Sequence, residues 1–228
     1  MAELLDRLGF FFQKARFSAD GKHEAARQQW LDRTWPALLE RGRRRRALIL
    51  FGDEANSAQW GSLGHSWAPV GWQPVLETSG RSRAYSVFAL IQSFGGRFFH
   101  QGIEGKCDAD SCIASLRRVL AQTHQRPSLI QDNAPYQLAA KVKQFLCEQA
   151  RRLSVYHLPM YSSDCNPIEF LWRAVKRHAT HNRYSPTFTL PIDSAERELV
   201  LVAQDQQQDL SPFGFGLKRP SQPQAHAA

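Results

Sequence analysis

Three acidic residues, Asp53, Asp132 and Glu169, stand where a folded chain could bring them together. Asp53 follows the apolar run Ala47-Leu-Ile-Leu-Phe51 after a single glycine, Asp132 directly follows Ser128-Leu-Ile-Gln131, and Glu169 follows Asn166-Pro167. Convergent carboxylates suit hard divalent cations such as Mg2+, which prefer oxygen ligands and are held by a few acids plus a substrate phosphate. Two such ions about 3.5 to 4 Å apart make a water or 3′-hydroxyl nucleophilic and stabilise charge on the transferring phosphate and the leaving oxygen. That is the chemistry of phosphodiester cleavage, and lysine or histidine at these positions would not serve it. Taken singly, each acid has a plain local use. Asp53 could cap a turn at a strand end, Asp132-Asn133 could form an Asx turn, and Glu169 could favour a helix dipole just after Pro167. Their order and spacing, and the residues around them, point to the shared use.

The acids need rigid elements beneath them. Residues 47–51 read as a short strand buried on both faces that stops at Gly52-Asp53-Glu54. A second strand is expected at 83–92, a turn at Gly95-Gly96, and a third strand at 97–102, making an antiparallel hairpin. Asp108 and Ser111 offer helix-start chemistry, and Ile113, Leu116, Val119 and Leu120 keep helical spacing, so 109–123 reads as an amphipathic helix ended by Pro127. A strand at 128–131 runs straight into Asp132, and Pro135 opens a helix expected to reach about residue 150. Residues 153–158 alternate as a strand, Pro159 breaks it, and 168–178 reads as a helix with Glu169 in its first turn. Three strands, then helix, strand, helix, strand and helix, make a mixed α/β sheet. In such sheets functional groups gather at the carboxyl ends of strands, where exposed loops leave rigid starting points.

Composition sets the wider frame. With 43% hydrophobic residues in 228 positions, the chain can bury one sizeable core. It contains no apolar run near the roughly 20 residues of a membrane span, and its start, MAELLDRLGF, lacks a basic stretch followed by a long apolar block. The expectation is a cytoplasmic protein with no membrane partner. Cys107, Cys112, Cys147 and Cys165 show no Cys-x-x-Cys pair and no His at zinc-finger spacing, which argues against a structural metal or disulfide. The net charge of +8 points to a polyanionic partner. Residues 1–46 hold eleven Lys/Arg against six Asp/Glu and end in the run Arg41-Gly-Arg43-Arg44-Arg45-Arg46, the first candidate for contact with a nucleic-acid backbone. Helical spacing shows around Leu4, Leu5 and Leu8, and again around Trp30, Trp35, Leu38 and Leu39. Lys176 and Arg177, with His178, His181 and Arg183, form a second basic stripe beyond Glu169. Trp67 and Trp72 suit core or hairpin packing better than base stacking, and His157 reads as a satisfied strand-end histidine. The expected organisation is a basic segment at 1–46, a catalytic unit at 47–185 and a partly disordered tail at 186–228.

Four stretches carry a family resemblance. Leu50-Phe-Gly-Asp53-Glu54, Trp67-Ala-Pro-Val-Gly71 with Gln73-Pro74, Gln131-Asp132-Asn133-Ala134, and Leu158-Pro-Met-Tyr-Ser-Ser-Asp-Cys-Asn-Pro-Ile-Glu169-Phe-Leu-Trp172 resemble the DDE transposases of mariner-like bacterial insertion sequences. The likeness covers about 47–184, and the 36 residues between Asp132 and Glu169 fall within that family's range. It implies an RNase H-like fold, a metal-binding and catalytic triad of Asp53, Asp132 and Glu169, and two Mg2+ ions that Mn2+ can replace. Glu54 and Asn133 would be close neighbours of the triad, and Asn166 with Pro167 would shape the start of the last helix. The implied reaction is hydrolysis at transposon ends followed by strand transfer into target DNA, so double-stranded DNA is the expected partner and a homodimer a possible assembly.

The sequence departs from the family in places. Gln137 stands where many relatives have histidine a few residues after the second Asp, and the loop usually rich in proline reads Met160 and Ser163. Only the stretch from Leu8-Gly9-Phe10 to Lys14 and onward resembles the closing part of the family's helix-turn-helix, so an upstream-frame polypeptide could carry that region. Two other readings compete: a catalytically silent remnant that only binds DNA, and a host nuclease or resolvase sharing the fold.

Overall fold

The computed structural model describes Arg7, residues 24–58, Val75, and residues 83–93, 97–179 and 187–204. Leu4, Leu5, Leu8, Trp67, Trp72, the Gly95-Gly96 turn, His181, Arg183 and the stretch after residue 204 lie outside the described residues. A five-stranded sheet in the order β3-β2-β1-β4-β5 sits at the centre. Strands β1 (Leu48–Ala58), β2 (Ala84–Gln92) and β3 (Phe98–Glu104) form an antiparallel meander, and β4 (Pro127–Gln131) and β5 (Ser154–His157) add to β1 in parallel. Strands β1, β3, β4 and β5 therefore all run the same way, and β2 alone is reversed.

Period-two alternation divides β1 between two cores. Helix α1 (Glu24–Gln29) has no buried residue. Ile49 and Phe51 face helices α2 (Trp35–Arg45), α5 (Ile168–Ala179) and α6 (Thr189–Gln204), where Trp35, Leu171, Trp172 and Leu199 are buried. Leu48 and Leu50 face α3 (Ala109–Gln122) and α4 (Ala140–Glu148), through Ile113, Leu116 and Val142. A π turn at Trp30–Thr34 joins α1 to α2, and the Trp30 and Trp35 rings stack with centroids 5.7 Å apart. Helix α3 begins with a reciprocal cap: Asp108 accepts from the Ser111 amide, and Ser111 Oγ accepts from the Asp108 amide, both at 2.8 Å. Among the described residues no helix is long and apolar enough to cross a membrane.

Two local expectations are corrected. Strand β1 does not stop at Gly52-Asp53-Glu54, because antiparallel pairing with β2 carries it on to Ala58. Its pairing with β4 does end there, at Gly52 opposite Gln131. Pro135 opens no helix. Tight turns close over 134–139 instead, with the Gln137 and Leu138 amides both donating to Ala134 O, and α4 begins only at Ala140. The Arg41–Arg46 run forms the last turn and left-handed cap of α2. Within 186–228, α6 buries Ala195 and Leu199, and Tyr85 OH donates to its Glu196.

Candidate active site

The end of the β1–β4 pairing creates the site. Beyond Gly52, β1 keeps β2 on one side while β4 has already stopped, which leaves one edge of β1 uncovered at Asp53 and Glu54. Asp132, the first residue after β4, arrives at that edge. Asp53 shares the parity of Phe51 and points to the α5 side, and Glu54 points to the α3–α4 side. Carboxylate oxygens of Asp53, Glu54 and Asp132 lie within 4.8 Å of one another. The strand edge thus holds three acids that approach from one face, the other face and the side.

A neutral donor ties one oxygen of each acid. Trp172 Nε1 donates to Asp53 Oδ2 at 3.1 Å, Tyr136 OH donates to Glu54 Oε2, and the Ala134 amide donates to Asp132 Oδ1 at 3.2 Å, an Asx turn. Gln137, which is buried, backs the second tie by donating from Nε2 to Tyr136 OH at 3.3 Å. The loop before α5 is fixed to the same strand. Asn166 Nδ2 donates to Gly52 O at 3.2 Å, and Asn133 Nδ2 donates to Leu158 O at 2.9 Å. His157, as expected, is satisfied at its strand end, with Nδ1 2.9 Å from Asp132 O.

Glu169 lies in the first turn of α5 and stands outside the 4.8 Å group found among the described residues. Its charge still reaches the others. Burial raises the Asp53 carboxyl from its ordinary 3.8 to about 8, with repulsion from Glu169 and then Asp132 adding to the rise. Burial also raises Glu54, against the opposing pull of the Tyr136 hydroxyl. Glu169 is raised by burial too, and Lys176 and Arg173 act the other way. Arg173 and Lys176 follow Glu169 by four and seven residues, so all three share one helix face. Arg177 is exposed beyond them. Carboxylates this close and this poor in water are costly to ionise together, which is the condition a divalent cation relieves.

The predicted basic groups divide. Lys176 belongs to the acidic end, whereas Arg43, Arg44, Arg45 and Arg46 lie before β1 and are separated from Asp53 by roughly 16 Å or more of strand. Two residues that organise the site escaped sequence reasoning as contributors. Tyr136 and Trp172 had only their places to mark them, four residues after Asp132 and three after Glu169.

Comparison with known proteins follows this geometry. Residues 48–189 match the family described as DDE superfamily endonuclease. The chain belongs to the DDE superfamily endonucleases. Its fold is similar to that of the Mos1 mariner transposase in a paired-end complex with Mn, with a TM-score of 0.59 and 17% identity over 93% of this chain and 69% of that one. The Mos1 strand transfer complex matches with a TM-score of 0.57 and 18% identity over 93% and 68%, and the pre-cleavage Mos1 transpososome with 0.58 and 17% over 93% and 69%. No curated protein matches the chain. The likeness establishes the RNase H-like fold for this endonuclease.

Proposed function

We propose that this endonuclease is a transposase that cuts DNA at the ends of a mobile element and joins those ends to target DNA. Asp53, Asp132 and Glu169 are its metal-holding catalytic residues in this reading. The observation that carries it is the meeting of Asp53, Glu54 and Asp132 oxygens at the uncovered edge of β1, with Glu169 close enough to raise Asp53. The donor set fits Mg2+ or Mn2+, being all carboxylate oxygen. Held by Asp53, Asp132 and Glu169, two such ions would supply activation of water or a 3′-hydroxyl and stabilisation of charge on the phosphate and the leaving oxygen. The chain's own part is to hold and orient. Trp172 and the Ala134 amide fix the carboxylate planes of Asp53 and Asp132, Asn166 holds the start of α5 against Gly52, and Arg173 and Lys176 supply positive charge beside the acids.

Structural relatives in paired-end and strand transfer complexes support double-stranded DNA as substrate and two copies acting together. The test is a nicking and strand-joining assay on DNA bearing the element's terminal repeats. Asp132→Asn should abolish both products in Mg2+ and in Mn2+ while leaving the circular dichroism spectrum unchanged and the melting temperature no lower. A folded Asp132→Asn protein that still nicks would end the assignment. Binding without nicking by the unsubstituted chain would favour the silent remnant, and nicking without joining would favour a nuclease of another kind.

A further inference from the structure

The sheet has a second charged end. All four strands that run the same way begin just after arginine: Arg45 and Arg46 precede β1, Arg97 precedes β3, Arg126 precedes β4, and Arg151 and Arg152 precede β5. Strand direction therefore delivers these side chains to a single edge, the amino edge, although up to about a hundred residues part them in the sequence. Their loops are joined in space. Leu48 N donates to Arg126 O at 3.0 Å, Gln125 Nε2 donates to Arg46 O at 3.4 Å, and Arg126 Nη2 donates to Ala150 O at 2.7 Å. Arg45, Arg46, Arg97, Arg151 and Arg152 are exposed, and Arg126 is half-buried. With neighbouring strands about 4.8 Å apart, a row from β3 to β5 is roughly 19 Å wide. The same strands carry the acids toward their other ends, roughly 16 to 20 Å away along β1 and β4.

We propose that this amino edge is a DNA-holding surface separate from the acidic centre, binding phosphates of duplex DNA other than the one being cut. Arginine forks suit phosphate oxygens, and a row fed by four strand ends matches a line of backbone charges without reading bases. The distance to Asp53 and Asp132 keeps a phosphate seated here out of reach of the catalytic acids. The proposal rests on the transposase reading only in taking DNA as the partner. Its test uses a chelator and no cleavage, so a failure of the catalytic assignment leaves the result intact.

The measurement is fluorescence anisotropy of the full chain with a duplex of about 30 base pairs and arbitrary sequence, from about 50 to 200 mM salt. Two exposed arginines from different strand ends, Arg45 and Arg151, are changed together to glutamine, and Lys141→Gln with Lys143→Gln on α4 is the charge-matched control. The arginine pair should lower the slope of log affinity against log salt by about two and weaken binding roughly tenfold or more, since each phosphate contact contributes a slope of about 0.9. The lysine pair should leave the slope within about 0.5 of the unsubstituted chain. The proposal is overturned by an unchanged slope in the folded arginine variant, or by an equal drop in the lysine variant. It is also overturned if the arginine variant keeps its duplex affinity and loses binding to phosphatidylserine vesicles instead.

Discussion

The two ends of the central sheet use charge in opposite ways. At the carboxyl edge, Asp53, Glu54 and Asp132 are buried or half-buried, crowd one another, and each accepts from a neutral donor supplied by another part of the chain. At the amino edge, arginines stand mostly in solvent, and some bond to main-chain carbonyls, as Arg152 Nη2 does to Leu120 O at 2.7 Å. Crowded buried acids cost stability and gain a cation site, whereas spread exposed arginines cost little and gain a long-range field. The contrast teaches that strands running one way sort residue types by end, acids gathering at the carboxyl edge and arginines at the amino edge.

The largest expected difference between the ends is catalytic. Asp53→Asn should lower strand cleavage by at least about a thousandfold, roughly 4 kcal/mol of barrier, because it removes a ligand charge without removing the acceptor for Trp172. The same change should raise the melting temperature of the cation-free protein at pH 8. An Asp53→Asn protein that melts lower than the unsubstituted chain under those conditions would show that the buried carboxylate is not the burden described here.

Next in size is the pH dependence of that burden. The Asp53 carboxyl titrates near 3.9 in the unfolded chain and near 8 in the folded one, so between these values the folded state holds a proton that the unfolded state has released. Stability in chelator should therefore fall as pH rises from about 4 to about 8, by a few kcal/mol, and level off above. Glu54 and Glu169, also raised, add to the fall in the same direction. Denaturant midpoints measured across this range in the unsubstituted chain and in Asp53→Asn check it, and equal slopes in the two proteins would refute the assignment to Asp53.

Smaller again is the effect of the tie itself. Trp172→Phe keeps a ring in the core and deletes the N–H that donates to Asp53 Oδ2. Loss of such an orienting partner weakens metal affinity by about tenfold or more. Mn2+ binding followed by electron paramagnetic resonance should show that loss, while Leu171→Ala, a core change one residue earlier, should lower stability and leave the affinity of the folded fraction alone.

How much of this was legible in the sequence differs between the ends. Asp132 was placed at the end of its strand, because a short apolar run followed directly by Asp-Asn is a strong local signal. Asp53 was read at a strand end, and the strand runs on past it to Ala58. Gly52 reads as a stop, yet an added Cβ there would lie 2.6 Å from Leu90 Cδ2 and 2.9 Å from Leu129 Cδ1, so glycine serves the packing of β1 between its neighbours. Pairing with β2 then overrides the local signal. Helix α6 did leave a trace, since Ile192, Ala195, Leu199 and Val202 keep helical spacing and pack on the core. The bonds from Tyr136 and Trp172 left none, for they depend on which elements meet. The arginine row was likewise invisible as a row, because it exists only once four strands are known to run the same way.

The smallest expected effect is the sharpest check on the contrast, and neighbouring residues supply it. Arg151 and Arg152 are both exposed at the start of β5, but only Arg152 is seen to hold a main-chain carbonyl, that of Leu120. Arg152→Gln should cost about 1 to 3 kcal/mol, the usual consequence of leaving such a carbonyl without its charged donor. Arg151→Gln should stay within about 0.5 kcal/mol of the unsubstituted chain, as surface changes away from special features do. If Arg151→Gln unfolds the protein as readily as Arg152→Gln, the amino edge is a structural clamp throughout. Its charge would then be bound up with folding, as the charge of the acids is, and the two ends would no longer differ in kind.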